Sequence, residues 1–99
     1  MASVPALLRR VRIARREAKR PPTGGRFERY EAAYETILAE LQSLAGEQVV
    51  EEFTEWMIAW TERNERLPSP ERVRERARRD LATRGIDVPE GSPLSPVPE

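Results

Sequence analysis

The chain of 99 residues contains no cysteine and no histidine. The missing cysteines exclude a disulfide framework, a thiolate nucleophile and a cysteine-ligated zinc site. The missing histidines exclude a Ser-His-Asp triad and any metal site built from imidazole. A nucleophilic serine would need a different base beside it, and the sequence places none.

Long apolar runs and regularly spaced glycines are also missing. No stretch approaches the roughly 20 apolar residues that span a bilayer, and no apolar signal region precedes a small-residue cleavage site. We therefore expect a cytoplasmic protein. The pair Gly24-Gly25 stands alone, without the further glycines, lysine and hydroxyl residue of a phosphate-binding loop.

Three glutamates, Glu51, Glu52 and Glu55, have the spacing of a helix that could hold Mg²⁺ through carboxylate oxygens. Such a site would need a second acidic pair, Glu-x-x-Asp, on the next helix, and that pair is absent. The glutamates are better explained as favourable negative charges near a helix N-terminus. We expect no metal, no cofactor and no enzymatic activity.

Helical spacing of apolar residues and breaks at proline and glycine predict an all-α fold of three or four helices. Residues 1–20 form a basic amphipathic helix or arm, because Leu7, Leu8 and Val11 recur at helical spacing after Pro5. Residues 21–26 are expected to be a proline and glycine linker. No β pattern and no internal repeat is present.

Two central helices, about 27–45 and 47–66, are predicted to form an antiparallel hairpin. The apolar pattern changes phase at Gly46, which suits the end of a helix. The alternative is one long helix through Gly46, because no Ser, Thr, Asp or Asn caps the second helix. A single glycine costs a continuous helix only about 1 kcal/mol.

The last helix, about 70–84, has the clearest boundaries. Ser69 is expected to cap its N-terminus and Pro70 to occupy its first turn, while Gly85 and Ile86 should end it in a Schellman motif. The helical domain then spans 27–86. Residues 87–99 are predicted to be an extended, proline-rich tail.

All six aromatic residues lie on the two central helices. They belong to an apolar stripe that we interpret as a core or oligomer seam, formed by Phe27, Tyr30, Tyr34, Ile37, Leu41, Leu44, Val49, Phe53, Trp56 and Trp60. A two-helix hairpin covers only one side of this seam, so the first helix, the last helix or a second copy of the chain must cover the rest. Because the apolar stripe of the last helix has only three residues, Val73, Ala77 and Leu81, we expect a homodimer.

The formal net charge is zero, from 17 basic and 17 acidic residues, but the charge is unevenly distributed. Residues 1–20 carry seven bases and one acid, and residues 31–65 carry nine glutamates and one arginine. Residues 66–84 return seven arginines against three acids. Long-range attraction to a charged partner should be modest, while local patches can still bind.

The basic ends are the strongest functional signal. We expect a binding protein that contacts nucleic acid through Arg9, Arg10, Arg12, Arg15, Arg16, Lys19, Arg20, Arg72, Arg76 and Arg79. In the alternative, the basic ends pair with acidic helices of the same chain, of a second copy or of an acidic partner protein, as in an assembly adaptor. We do not expect binding to an anionic membrane, because the apolar face of the first helix is short and rich in alanine. A solvated, non-functional basic surface is the remaining interpretation.

Overall fold

The computed structural model describes residues 3–17 and 26–95, and these ranges form four α-helices without a strand. The helices are α1 (Val4–Glu17), α2 (Arg26–Ala45), α3 (Glu47–Asn64) and α4 (Pro70–Thr83). The predicted all-α class and the central hairpin are confirmed. Of the predicted linker, residues 21–25 lie outside the described ranges, and Arg26 begins α2.

Gly46 separates α2 from α3. Its φ of 96° and ψ of 169° lie in a region that is essentially restricted to glycine. The Gly46 amide still donates to the Gln42 carbonyl at 2.9 Å, which completes the last turn of α2. No side chain caps the start of α3. The chain therefore breaks at Gly46, and the alternative of one long helix is excluded.

Gly46→Ala is expected to lower the free energy of unfolding by about 1–3 kcal/mol, because alanine must adopt a strained backbone conformation there. A Cβ at this position would meet no atom within 4 Å, so the whole effect comes from the backbone. Urea unfolding followed by circular dichroism measures the change. Ser43→Ala, an exposed substitution on α2, is the control and should stay within about 0.5 kcal/mol. Equal stability of the Gly46→Ala variant and the parent would contradict this requirement for glycine.

The ends of α4 form as their sequence predicts. The Ser69 hydroxyl accepts a hydrogen bond from the Arg72 amide at 3.3 Å, and Pro70 is the first helical residue. At the other end Gly85 has a φ of 72°. The Gly85 and Ile86 amides donate to the carbonyls of Ala82 and Leu81 at 3.0 and 2.9 Å, which is the Schellman pattern.

The turn between α3 and α4 is fixed to α2. α3 ends at Asn64, two residues before the predicted end, because Glu65 adopts a left-handed conformation with a φ of 56°. The hydroxyl of the fully buried Tyr34 on α2 donates to the Pro68 carbonyl in this turn. Leu67 is buried beside it. The start of α4 is therefore positioned by α2.

α2 is the central helix, since it packs against each of the other three. α1 packs against α3 and α2, and its buried residues are Val4, Leu7, Leu8, Val11 and Ala14. All but Ala14 belong to the same hydrophobic cluster as the buried residues of α2, α3 and α4. The basic N-terminal segment is thus one layer of the helical core.

The core face of α3 differs from the predicted seam. Val50, Phe53 and Met57 are buried, whereas Val49, Trp56 and Trp60 are only partly buried. On α2 the seam residues Phe27, Tyr34, Ile37 and Leu41 are buried, and Tyr30 and Leu44 are partly buried. The stripe on α3 is rotated because α1 and α2 both pack against it. As a result, the two indoles lie at the edge of the core.

Residues 87–95 fold back onto the helices, unlike the extended tail that is predicted for residues 87–99. Leu94 is fully buried in the hydrophobic cluster. The Ser92 hydroxyl donates to Glu40 Oε2 at 2.6 Å, and the Arg78 guanidinium donates to the Leu94 carbonyl at 2.7 Å. Leu94, the partly buried Val88 and these two bonds hold the segment in place, which composition alone does not reveal. Residues 96–99 lie outside the described ranges.

The seam that suggested a homodimer is covered within the chain by α1 and α4. In the described part of the chain, Ile13 on α1 is the one large apolar side chain that is exposed, at 46 %. None of the described helices is long and apolar enough to cross a membrane. The homodimer stays a prediction, and light scattering at micromolar concentration measures it.

Candidate functional site

Of the predicted binding residues on α1, Arg10 contacts α3 and Arg12 contacts α2. Arg9, Arg10 and Arg12 are exposed, and Arg10 forms an ion pair with Glu55 of α3. The Arg12 guanidinium lies over the Phe27 ring, 5.8 Å from its centroid. The side chains of Arg15 and Arg16, and residues Lys19 and Arg20 entirely, are outside the part that the structure describes.

The acidic triplet on α3 takes part in ion pairs with the basic ends. Besides the Arg10–Glu55 pair, Arg84, just after α4, lies 3.3 Å from Glu52. Both pairs are solvent-exposed and are therefore worth about 0–1 kcal/mol each. Among the described residues, no three Asp or Glu side chains converge in a way that could hold a metal ion. The pairs orient α1 and the end of α4 relative to α3.

A groove between α3 and α4 brings arginines and tryptophans together. We call it the arginine–tryptophan groove, and it is lined by Trp56, Trp60, Arg66, Arg72, Glu75, Arg76 and Arg79, with Tyr30, Leu67 and Ser69 completing the lining. It consists of two adjoining cavities of about 320 and 240 Å³, and Trp60 and Arg72 line both. The predicted stripe Arg72, Arg76 and Arg79 is therefore brought together with two residues that were predicted to be core.

Guanidinium groups from α4 and from the preceding turn lie against both indoles. Arg76 lies 5.1 Å from the centroid of the Trp56 ring, and Arg72 lies 5.2 Å from that of Trp60. Arg66 lies 5.7 Å from the Trp60 centroid. Each contact is worth about 0.5–1 kcal/mol at an exposed site. α4 itself packs against α2, so these long side chains form the contact across the groove.

The groove carries net positive charge, because its lining includes four arginines and one glutamate. Arg76 is partly neutralised, since its Nε lies 3.1 Å from Asp80 Oδ1. In the ranges that the structure describes, no ion pair involves Arg66, Arg72 or Arg79. These three guanidinium groups keep their hydrogen-bond donors available for an anion.

A larger depression, of about 560 Å³, lies on α2 beside Pro93. Its lining is Ala32, Glu35, Thr36, Ala39, Glu40 and Pro93. It contains neither an aromatic ring nor a cation, and it is therefore a weaker candidate than the groove. Size alone does not identify a site here.

The aromatic half of the site is the part that sequence reasoning missed. No aromatic residue lies among the predicted binding arginines of residues 9–20 or of α4, because the arginines and the indoles meet between two helices. A usable signal was present: Trp56 and Trp60 are four residues apart on α3, as Arg72 and Arg76 are on α4. Residues four apart share one helix face. Two such faces that lie side by side can therefore form two arginine–tryptophan contacts, one for each tryptophan.

Comparison with known proteins gives no match, neither to a family model nor to a curated protein nor to a solved structure. The candidate site is therefore argued from its own geometry and charge.

Proposed function

We propose that this chain is a small, non-enzymatic binding protein that holds nucleic acid in the arginine–tryptophan groove. The observation that carries the proposal is the convergence of four arginines and two indoles on one surface. Guanidinium groups pair well with phosphate oxygens, and indole rings stack on bases. The same surface supplies both kinds of contact.

The zero net charge fits a local binding surface better than a long-range one. Exposed charges more than about 10 Å apart are largely screened at moderate salt, so distant acids weaken the groove little. Each phosphate that an arginine neutralises releases counterions, which makes the affinity fall as salt rises. We therefore expect the affinity for nucleic acid to fall strongly as salt rises, although the chain has no net charge.

The second candidate function is a protein-interaction or assembly adaptor, whose basic ends pair with acidic helices. The ion pairs of Arg10 with Glu55 and of Arg84 with Glu52 support such pairing, here within one chain. This candidate accounts for α1 and for the end of α4, but it assigns no role to the groove. We therefore place it second.

Substitution of groove arginines tests the proposal. Arg72→Gln and Arg79→Gln are each expected to weaken binding of a fluorescein-labelled oligonucleotide. Each should also reduce the slope of log affinity against log salt by about 1, because one phosphate contact is lost. Fluorescence anisotropy between about 50 and 200 mM salt measures both quantities.

Arg9→Gln on α1 is the comparison variant: Arg9 is an exposed helical arginine that the sequence also predicts to bind nucleic acid, but it does not line the groove, and its substitution removes the same charge. It should leave the salt slope unchanged. If all three variants lost binding equally, the interface would not be confined to the groove. Absence of salt-dependent binding by the parent protein would reject nucleic-acid binding altogether.

A further inference from the structure

We infer that the arginine–tryptophan groove is a site for unpaired nucleotides, in which successive bases of a single strand stack on Trp60 and Trp56. This inference rests on the proposed nucleic-acid function and names its substrate class. It follows from what covers the indoles, from the size of the two cavities and from the spacing of the rings.

The indole faces are covered by exchangeable groups. Arg72 and Arg76 lie over Trp60 and Trp56 at 5.2 and 5.1 Å, and both arginines reach the rings from another helix. Such a contact at an exposed site favours association by only about two- to fivefold. Stacking of a base on an aromatic side chain contributes about 5- to 150-fold. A base can therefore replace a guanidinium on an indole face, and the displaced guanidinium becomes available to the phosphates.

Each cavity is far too small to hold a double helix. Their volumes of about 320 and 240 Å³ are close to the lower limit of about 300 Å³ for small-molecule sites. A duplex keeps its bases stacked inside, so only its backbone would meet the edge of the groove. An unpaired strand can place a base in each cavity, on either side of Trp60 and Arg72.

The spacing of the two tryptophans along α3 is suited to two successive bases. Trp56 and Trp60 are one helical turn apart, which separates their Cβ atoms by about 5–6 Å. Tyr30 on α2 adds a third ring to the smaller cavity. Stacking accepts any base, so little preference for sequence is expected.

The chain carries its own reporter for this site. Trp56 and Trp60 are its only tryptophans, so intrinsic tryptophan fluorescence reports on the groove alone. The probes are oligothymidylate, oligouridylate and a DNA duplex of the same length, titrated at one salt concentration. We expect both single strands to quench the fluorescence and the duplex to bind more weakly, by about tenfold or more.

Trp60→Leu and Trp60→Phe form the matched pair of variants. Trp60→Leu should weaken single-strand binding by about fivefold or more and leave duplex binding unchanged, whereas Trp60→Phe should retain most of the affinity, because it keeps an aromatic face. Circular dichroism checks that both variants are folded. DNA and RNA strands share the stacking chemistry, and the two single-stranded probes, which differ in the ribose hydroxyl and in the C5 methyl group of thymine, show whether the site accepts both.

Two results would overturn the inference while the proposed function stands. One is duplex binding as tight as single-strand binding. The other is single-strand binding that leaves the fluorescence and the Trp60→Leu affinity unchanged. Failure of every probe to bind would reject both the inference and the proposed function.

Discussion

Leu7→Ala is expected to lower the free energy of unfolding by about 2–5 kcal/mol, although Leu7 lies in the basic segment of the chain. The Leu7 side chain is only 1 % exposed and belongs to the single hydrophobic cluster. Its truncation removes apolar contacts between α1 and the hairpin and leaves a cavity in their place. A loss of this size is a large part of the 5–15 kcal/mol that stabilises a typical domain.

Urea unfolding followed by circular dichroism measures this effect, and the same helix supplies the control. Ile13→Ala removes a similar side chain that is 46 % exposed, and it should change the stability by no more than about 0.5 kcal/mol. Leu7→Met conserves volume and should cost less than about 1.5 kcal/mol. Equal and small effects of Leu7→Ala and Ile13→Ala would show that α1 does not pack in solution as described here.

The second large expected effect is a loss of stability at alkaline pH that is caused by the buried Tyr34. Its hydroxyl donates to the Pro68 carbonyl, and the side chain is 0 % exposed. Burial raises the pKa of Tyr34 far above its usual value near 10, and the neighbouring Tyr30 raises it further. Above about pH 10 the unfolded chain therefore loses this proton while the folded chain keeps it. Stability that is fully present below pH 10 then falls, by up to about 1.4 kcal/mol per pH unit.

Tyr34→Phe separates this effect from general alkaline denaturation. At neutral pH the variant should be less stable by about 1–3 kcal/mol, because the Pro68 carbonyl loses its buried donor. Between about pH 9 and pH 11 its stability should fall less steeply than that of the parent, because position 34 no longer ionises. Urea unfolding at several pH values gives both slopes. Parallel slopes would mean that Tyr34 does not control the alkaline transition.

Local chemistry made several features predictable. The cap at Ser69, the stop at Gly85 and the break at Gly46 each depend on residues within one or two turns. The rotation of the α3 core face was not predictable in this way. Val50 and Met57 displace Val49 and Trp60 from the core because α1 and α2 both pack on α3. That arrangement is a tertiary property.

In the candidate site, too, the local features could be predicted and the tertiary arrangement could not. The stripe of arginines on α4 follows from helical spacing, and it was predicted. Its pairing with Trp56 and Trp60 depends on how α4 lies across α2, which no local pattern specifies. The burial of Leu94 is similar, since a proline-rich segment with one leucine does not reveal where that leucine will pack.

The packing of α1 on α3 also determines how chain entropy is lost during folding. Arg10 and Glu55 are separated by 45 residues, whereas α2 and α3 meet around the single residue Gly46. Because the entropy lost on closing a loop rises with its length, docking α1 is the more demanding step. We expect this docking to follow formation of the hairpin, since the surface that α1 covers is shared between α2 and α3. The position of α1 is thus set by two helices that are themselves neighbours along the chain.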